Sequence, residues 1–226
     1  SLYPSLLISH NLCPSTLLLD EVQPELSAAI PAEVRDAVRS FQVEEIDDDV
    51  QWTYRVLQRG ADGAQTGVLP VVAQQLLDQR TAAKLEMKAC AKDSAAYELL
   101  DAKQQALKVI CNSLYGGLNA ILMGSIWCRP LGATITRMGR LAIHRIKTTV
   151  EARPGAVVVA GDTDSVMFKL PGLNNQEAIE VGKEVAQTVT DALRADGAHA
   201  MTLAFEKVMR PSCFFAKKNY CYVKYE

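Results

Sequence analysis

Two aspartates, Asp162 and Asp164, stand two residues apart in a stretch whose composition predicts a β hairpin. Residues 157–168 contain a β-branched run, a Gly-Asp-Thr-Asp turn and a second alternating run that would return as its partner strand. Two carboxylates at such a turn form a hard, anionic oxygen cluster of the kind that Mg²⁺ or Mn²⁺ prefers, and the metal would carry substrate phosphates on its open positions. Because Gly and Asp also favour turns for purely local reasons, turn formation alone explains the stretch equally well.

Length, composition and charge bound the class of protein. The 226 residues suffice for one large domain or two small ones, and 49% hydrophobic with 22% charged residues is ordinary for a soluble globular protein. A net charge of −2 argues against electrostatic coating of a duplex but leaves room for local cationic grooves. The six cysteines form no Cys-x-x-Cys pair and no zinc spacing, which is typical of buried, reduced thiols in an intracellular protein. The sequence has no signal peptide and no apolar run of membrane-spanning length, and because it begins without Met we expect a piece of a longer protein.

Basic residues recur at helical spacing in two predicted helices in the middle of the chain. The first helix, about residues 71–92, has basic residues four apart and therefore on one face: Arg80, Lys84 and Lys88. The second, about residues 95–114, has its own polar stripe: Gln104, Lys108, Asn112 and Tyr115. The short connection between them predicts an antiparallel helical hairpin, in which Arg80, Lys84 and Lys108 face the same space. The alternative is that these charges are simply solvated on two amphipathic helices, which is the usual fate of Lys and Arg.

The remaining patterns predict an α+β fold: a small antiparallel sheet backed by helices, with the helical hairpin inserted between its parts. At the N-terminus a short helix is expected with Pro4 in its first turn, and residues 20–50 are expected to be exposed and variable. Tyr115-Gly116-Gly117 predicts the end of the second helix, since glycine commonly ends helices. The other predicted elements are a strand at 52–57, a helix at 132–151, a helix that starts after Asn174 or Asn175 and stops at Asp196-Gly197, and strands at 202–206 and 220–225.

A carboxylate pair beside two helices that present Arg and Lys is suited to phosphoryl or nucleotidyl transfer. The carboxylates would hold a metal, the metal would bridge phosphate oxygens, and the cations would neutralise the remaining negative charge. A two-metal site needs a further bridging carboxylate from another strand, and no candidate of that kind stands out in the sequence. Two alternatives stay open. An Asp-x-Asp nucleotide-sugar glycosyltransferase explains the two aspartates but not the cationic helices, and the other alternative is a non-catalytic nucleic-acid-binding fragment.

Four separated blocks of the sequence resemble the polymerase motifs of family B DNA polymerases. In chain order they are residues 1–5 with 10–13, residues 108–116, residues 161–165, and residues 205–208 with 217–220. The first block, Ser-Leu-Tyr-Pro-Ser with His-Asn-Leu-Cys, is most similar to the herpesvirus-type and delta-type replicative enzymes. The others resemble the family's K-x3-N-S-x-Y-G, G-D-T-D-S, F-E-K-V and K-K-x-Y elements in order and spacing. A lone Asp-x-Asp is a weak signal, but the four blocks together are very specific.

The resemblance implies a DNA-directed DNA polymerase that transfers a nucleotidyl group from a dNTP to a primer 3′-hydroxyl, directed by a template, with two Mg²⁺ ions. It implies a division into residues 1–66 as the N-terminal part of the palm with a variable insertion, 67–118 as the fingers hairpin, and 119–226 as the C-terminal part of the palm with the catalytic hairpin. The implied partners are primer–template DNA, dNTP and, in some members, a processivity factor, with no membrane. The implied location is the nucleus, the host's for a viral source.

Roles are carried onto the matching positions. Asp162 and Asp164 would be the metal-binding catalytic carboxylates. The residues implied to bind the nucleotide are Ser1, Leu2, Tyr3, Arg80, Lys84, Lys108, Asn112 and Tyr115. Tyr3 would lie under the sugar and exclude a ribose 2′-hydroxyl by bulk, and Tyr115 would pack near the nascent base pair. The residues implied to contact primer or duplex are Thr163, Lys217, Lys218 and Tyr220.

Three features depart from the family pattern. The other metal-bridging aspartate of the family stands just before Ser-Leu-Tyr-Pro-Ser, so we expect residues 1–226 alone to lack activity. Ala160 stands where an aromatic residue usually precedes Gly-Asp-Thr-Asp, which implies different packing on the primer side. Asn119 replaces a glycine that is common after Tyr-Gly-x-x, which implies an altered bend there.

Overall fold

The computed structural model describes residues 2–18, 38–45, 50–58, 66–120, 126–216 and 218–225. These residues form a mixed α+β arrangement with five α-helices and seven β-strands. Two compact units divide the chain, Ser1–Arg137 and Met138–Glu226. Among the described helices, none is both long and apolar enough to cross a membrane. The predicted α+β class is confirmed, while the predicted domain boundaries at residues 66 and 118 stay a prediction.

The first unit begins with helix α1, Leu2–Ser9, whose residues Leu6, Leu7 and Ile8 are buried. Pro4 lies in the first turn of this helix, as predicted, where a missing N–H costs no intrahelical hydrogen bond. Ser5 lies inside the helix and is buried, so it does not cap the helix. A short 3-10 helix, Pro14–Thr16, leads to the two-residue strand β1, Leu17–Leu18.

A three-stranded antiparallel sheet follows, with the order β1-β3-β2. Its other strands are β2, Val38–Glu45, and β3, Val50–Leu57, paired from Val38↔Leu57 to Glu45↔Val50. The strand predicted at 52–57 is therefore confirmed, and β2 is a further strand, within residues 20–50, that was not predicted. The backbone N–H and C=O groups of β2 bond to β3, and the composition of residues 38–45 alone does not predict that partner strand. Residues 20–37 and 46–49 of that stretch lie outside the described residues.

Helices α2, Val68–Ala89, and α3, Ala95–Asn119, pack against each other. Two contacts show that they run antiparallel. The carbonyl oxygen of Ala73 on α2 lies 3.9 Å from the sulfur of Cys111 on α3, whereas Arg80, later in α2, bonds Gln104, earlier in α3. Small side chains such as Ala73 and Ala83 allow the close approach, and both are fully buried. The predicted helical hairpin is thus present.

The end of α3 differs from its prediction. The helix continues through Gly116 and Gly117 to Asn119, so the glycines do not end it. Gly117 is buried against the side chain of Ile126, which occupies the space that a Cβ would need. The glycine therefore serves close packing and not a left-handed helix cap. The side chains of Val109 and Ile110 are exposed, while those of Leu107 and Cys111 are buried.

Helix α4, Arg129–Glu151, begins three residues before the predicted residue 132. The earlier start is consistent with a hydrogen bond of 3.1 Å from the N–H of Gly132 to the carbonyl of Cys128, and with Pro130 in the first turn. Its buried side chains recur at helical spacing: Leu131, Ile135, Ala142, Ile146 and Val150.

The second unit contains the predicted hairpin and the helix that follows it. Strands β4, Val157–Asp162, and β5, Ser165–Lys169, pair antiparallel. Helix α5, Asn175–Ala195, begins at a capping box in which Asn174 and Glu177 bond each other's backbone N–H groups. Its buried stripe includes Val185 and Val189.

Two strands close the second unit. They are β6, Val208–Ala216, and β7, Asn219–Tyr225, paired antiparallel. The strand predicted at 220–225 is confirmed, but that predicted at 202–206 is wrong, because residues 201–207 are not in a strand. Instead the backbone N–H of Leu203 bonds the buried hydroxyl of Thr190 on α5 at 3.0 Å. Strand β6 was not predicted, since Pro211 within it weakens the strand pattern.

Candidate functional site

The tip of the β4–β5 hairpin carries the two aspartates. Asp162 pairs with Ser165, so Thr163 and Asp164 form a two-residue turn between the strands. Thr163 and Asp164 are exposed, and Asp162 is partly buried. Two carboxylates therefore stand at an accessible tip, which a ligand in solvent can reach.

The surroundings of Asp162 stabilise its ionised form. A hydrogen bond from the backbone N–H of Thr163 lowers the pKa of Asp162, and a hydrogen bond from Lys218 lowers it further. The ammonium nitrogen of Lys218 lies 3.3 Å from Oδ2 of Asp162, and the hydroxyl of Thr163 lies 3.3 Å from Oδ1. Lys218 occupies the turn between β6 and β7 with a φ of 64°, in the left-handed region. Three predicted site residues from two separate motifs are thus brought together here.

The ligand atoms at this tip are of the type that a hard divalent cation prefers, because Asp162 and Asp164 both supply carboxylate oxygens. It does not complete a site by itself. Among the residues that the structure describes, no three His, Cys, Asp or Glu side chains lie close enough to hold a metal ion. Asp162 and Asp164 would therefore supply two of the ligands.

The packed pair α2–α3 carries a cluster of three cations, Arg80, Lys84 and Lys108, which we call the cation cluster. Partial desolvation lowers the pKa of Lys84, and the positive charges of Arg80 and Lys108 lower it further. The guanidinium Nε of Arg80 donates to the side-chain oxygen of Gln104 across the helix pair at 3.2 Å. The charges of Arg80 and Lys108 thus act on Lys84 within the packed helix pair, while the predicted convergence of the three cations on one ligand stays a prediction. Like charges at short range repel, and a bound anion relieves that repulsion.

Two predicted tyrosines stack in the first unit. The rings of Tyr3 on α1 and Tyr115 on α3 are 4.1 Å apart between centroids and nearly parallel, with an interplanar angle of 16°. The phenol oxygen of Tyr115 lies 2.9 Å from the hydroxyl oxygen of Thr136 on α4. Leu2 and Tyr3 form the first turn of α1, and Asn112 is half-buried on α3.

Tyr220, another predicted site residue, lies on β7. The ring of Tyr220 lies between those of Phe214 and Tyr222, with centroid distances of 5.3 and 5.8 Å. Beside it, the ammonium of Lys207 donates to the hydroxyl of Tyr222 at 2.7 Å, which raises the pKa of Lys207. Ser1 and Lys217, which were also predicted as site residues, lie outside the described residues.

Sequence reasoning missed the role of Asn11. Its side-chain amide donates to the carbonyl of Leu57 at 2.8 Å and accepts from the N–H of Gly67 at 2.8 Å. A Cβ at Gly67 would lie 2.5 Å from that of Cys13, so the start of α2 fits only glycine here. Asn11 thus fixes Gly67, the residue immediately before the helix that carries Arg80 and Lys84. The resemblance to the His-Asn-Leu-Cys block was the available signal, but it assigned Asn11 no role.

The predicted site residues form groups within each unit, and the structure gives each group a local geometry. In Ser1–Arg137 they are the cation cluster, Asn112 and the stacked tyrosines, and in Met138–Glu226 they are the hairpin tip, Lys218 and Tyr220. The roles assigned to these residues by resemblance stay predictions.

Comparison with known proteins identifies the family. The profile of DNA polymerase family B matches residues 1–226. The DNA polymerase of Paramecium bursaria Chlorella virus NY2A is 32% identical over 234 residues, which cover 100% of this chain and 24% of that protein. The DNA polymerase delta catalytic subunit of Dictyostelium discoideum is 35% identical over 232 residues, which cover 97% of this chain and 18% of that protein.

A solved structure agrees with the sequence relatives. The family B DNA polymerase from Pyrobaculum calidifontis superposes with a TM-score of 0.61 and 26% sequence identity, covering 99% of this chain and 25% of that one. The chain thus spans a quarter or less of the length of these relatives. Because the family profile extends over its whole length, the chain belongs to DNA polymerase family B.

Proposed function

We propose that this chain forms part of a DNA-directed DNA polymerase that joins dNTP to a primer 3′-hydroxyl under the direction of a template. The observation that carries the proposal is the cation cluster on the packed pair α2–α3, where partial desolvation and then the charges of Arg80 and Lys108 lower the pKa of Lys84. A triphosphate carries several negative charges, and Arg and Lys side chains bind phosphate oxygens by charge-assisted hydrogen bonds. Arg80, Lys84 and Lys108 would grip the triphosphate, with Asn112 supporting that grip.

Asp162 and Asp164 would hold Mg²⁺. When bound, the metal lowers the charge on the phosphate oxygens and organises the attacking and leaving oxygens. The chain's own contribution at this place is to keep Asp162 ionised, since the Thr163 N–H and Lys218 both lower its pKa. A third carboxylate would have to come from the Asp that the family carries before its Ser-Leu-Tyr-Pro-Ser motif.

The remaining residues would select the sugar and hold the DNA. Tyr3 would lie under the sugar of the nucleotide and exclude a ribose 2′-hydroxyl, and Tyr115 would pack near the new base pair. Leu2 and Ser1 would add backbone N–H contacts to phosphate. Thr163, Lys217, Lys218 and Tyr220 would contact the primer and duplex.

In this proposal the helical pair α2–α3 belongs to a fingers region at residues 67–118, and residues 1–66 and 119–226 to a palm. The polymerase relatives, one viral enzyme and one delta catalytic subunit, support this choice over the nucleotide-sugar glycosyltransferase. The glycosyltransferase alternative also leaves the cation cluster unexplained. Two Mg²⁺ ions, primer–template DNA and dNTP are the proposed cofactors and partners.

The test is Asp164→Ala in the full-length polymerase that contains this sequence, assayed by primer extension with Mg²⁺. We expect incorporation to fall by at least about 100-fold, because the change removes a metal ligand. The matched control is Asp191→Ala, since Asp191 is an exposed aspartate on α5 whose side chain accepts from Gln187. The control should extend primers at the wild-type rate. Normal extension by the Asp164→Ala enzyme would refute the proposal.

A further inference from the structure

The end of α3 is tied to the beginning of α4 by a chain of hydrogen bonds. The hydroxyl of Thr136 lies 3.0 Å from the carbonyl of Gly132, one turn back on α4, and donates its single proton there. The phenol oxygen of Tyr115 lies 2.9 Å from the same hydroxyl oxygen. Since the threonine proton is already used, the Tyr115 hydroxyl is the donor in this second bond. The Tyr115 hydroxyl therefore uses the Thr136 hydroxyl oxygen as its acceptor.

A close helix–helix contact holds this hydrogen bond in place. The space that a Cβ of Gly132 would need is filled by the side-chain amide of Asn119, the last residue of α3. The same amide donates back to the carbonyl of Tyr115 at 3.2 Å. The backbone of Tyr115 and its hydroxyl are thus both attached to groups at the α3–α4 contact.

The ring of Tyr115 has a second neighbour. One of its faces stacks on the ring of Tyr3 at a centroid distance of 4.1 Å. A stacked aromatic pair contributes specific attraction beyond the area that it buries. The position of Tyr3 is therefore set in part by Tyr115, and that of Tyr115 by Thr136.

We propose that Thr136 is a positioning residue for sugar selection. It holds the Tyr115 ring, and Tyr115 backs Tyr3 against movement away from the nucleotide sugar. This inference rests on the proposed polymerase function and on the exclusion of ribose by Tyr3. Tyr3 can exclude a 2′-hydroxyl only while its side chain stays in place. If Tyr115 is held less firmly, Tyr3 can move away and a ribonucleotide can bind. Thr136 lies in none of the four motif blocks, and no sequence pattern pointed to it.

The experiment uses the full-length polymerase and compares kcat/KM for a dNTP and the rNTP of the same base. Thr136→Val keeps the shape of the side chain and removes the acceptor. We expect discrimination to fall roughly threefold to tenfold, the range that follows from loss of one neutral hydrogen bond. The fall should come from a higher kcat/KM for the rNTP, whereas a general loss of structure would lower both values.

Two further variants separate the effect of the Thr136 hydroxyl from a general effect of substitution on the fold. Thr136→Ser retains an acceptor and should restore wild-type discrimination. Thr134→Val is the matched control, because Thr134 on the same helix also donates to a carbonyl one turn back, that of Pro130, at 2.9 Å. It should leave discrimination unchanged.

A double-mutant cycle tests the route through Tyr115. Tyr115→Phe removes the same hydrogen bond from the other side and should lower discrimination by a similar factor. Adding Thr136→Val to Tyr115→Phe should then cause no further loss.

The outcomes separate this inference from the proposed function. Unchanged discrimination in Thr136→Val or in Tyr115→Phe, equal losses in Thr136→Ser and Thr136→Val, or additive losses in the double variant would each overturn the inference alone. Failure of the wild-type enzyme to incorporate dNTP would overturn the proposed function, and this inference with it.

Discussion

At the scale of the residue, mutual repulsion within the cation cluster gives the physical reason to expect an anionic ligand. Lys84 loses part of its hydration on the helix pair and also has two cations as neighbours, and both effects favour its neutral form. A phosphate group placed among the three side chains reverses the second effect.

Lys108→Ala should accordingly weaken nucleotide binding and slow transfer, because it removes charge-assisted contacts to phosphate. We expect kcat/KM for dNTP to fall roughly 10- to 100-fold, the range for a hydrogen bond to a charged group. Steady-state primer extension by the full-length enzyme measures this change. Lys103→Ala is the control, since Lys103 is exposed on the same helix outside the cluster. Equal kinetics for the two variants would count against the proposed role of Lys108.

The pair Asp162–Lys218 gives a prediction with a definite sign. The pKa of Asp162 is lower in the folded state than its ordinary value of 3.8, so the interactions stabilise the fold above that value. They are lost as the pH falls through the folded-state pKa. Lys218→Met should raise the pKa of Asp162 towards 3.8 but not to it, because the largest cause, the Thr163 N–H, remains.

Carboxyl-carbon NMR of protein labelled at aspartate measures this pKa directly. The difference in Tm between wild type and Lys218→Met should be present at neutral pH and vanish once Asp162 is protonated. A pKa for Asp162 that is the same in both proteins would mean that the ion pair does not form in solution.

Some of these residues could be identified from sequence and others could not. The carboxylates at the turn and the cations at helical spacing belong to local patterns, which the residue types reveal. Asn11 and Thr136 matter through partners distant in sequence: Asn11 bonds residues 46 and 56 positions away, and Thr136 bonds one 21 positions away. Polar residues of this kind have no periodic signature, so only the fold identifies them.

Asn11→Ala should therefore be costly. Asn11 is 2% exposed, and its loss leaves the N–H of Gly67 and the carbonyl of Leu57 without their bond to it. We expect a loss of roughly 2–4 kcal/mol in the free energy of unfolding, measured by urea titration. The exposed Asn219 supplies the control, and Asn219→Ala should change stability by less than about 0.5 kcal/mol. A similar small effect for Asn11→Ala would show that α2 does not depend on it.

At the scale of the element, the helices and the β4–β5 hairpin were predictable because their patterns are local. The capping box at Asn174 and the buried stripe of α5 depend on spacing within one segment. The end of α3 and strand β6 were not, because Gly117 is used for packing against Ile126 and Pro211 is tolerated within a strand. Both outcomes are decided by neighbours that the local sequence does not contain.

Two glycines in helices should respond in opposite ways to alanine. A Cβ on Gly182, a buried glycine of α5, would overlap two carbons of the rigid Phe205 ring, so Gly182→Ala must displace the ring or the helix at that point. We expect a loss of roughly 1–3 kcal/mol in the free energy of unfolding. Gly116 has no atom within 4 Å of the position of its Cβ, so Gly116→Ala should gain up to about 1 kcal/mol from helix propensity. Urea unfolding of both variants measures the difference, and a loss of equal size at both positions would contradict the packing at Gly182.

At the scale of the whole molecule, net charge and local charge predict opposite responses to a triphosphate. The net charge of −2 on residues 1–226 contributes a weak repulsion at long range, whereas the cation cluster contributes an attraction at short range. The Debye length is about 10 Å at 0.1 M salt, so added salt screens an exposed cluster substantially. If KM for dNTP rises with salt, the nucleotide is attracted by the cation cluster, and if KM falls, it is repelled by the net negative charge.

We expect KM for dNTP to rise severalfold between about 50 and about 200 mM KCl, with primer–template saturating so that DNA binding does not limit the rate. Lys108→Met should reduce the slope of log KM against log salt, because one cation has been removed from the cluster. Lys103→Met leaves the cluster intact and should keep the wild-type slope, although it changes the net charge by the same amount. Equal slopes for the two variants would show that the nucleotide responds to the charge of the whole molecule and not to the cluster on α2 and α3.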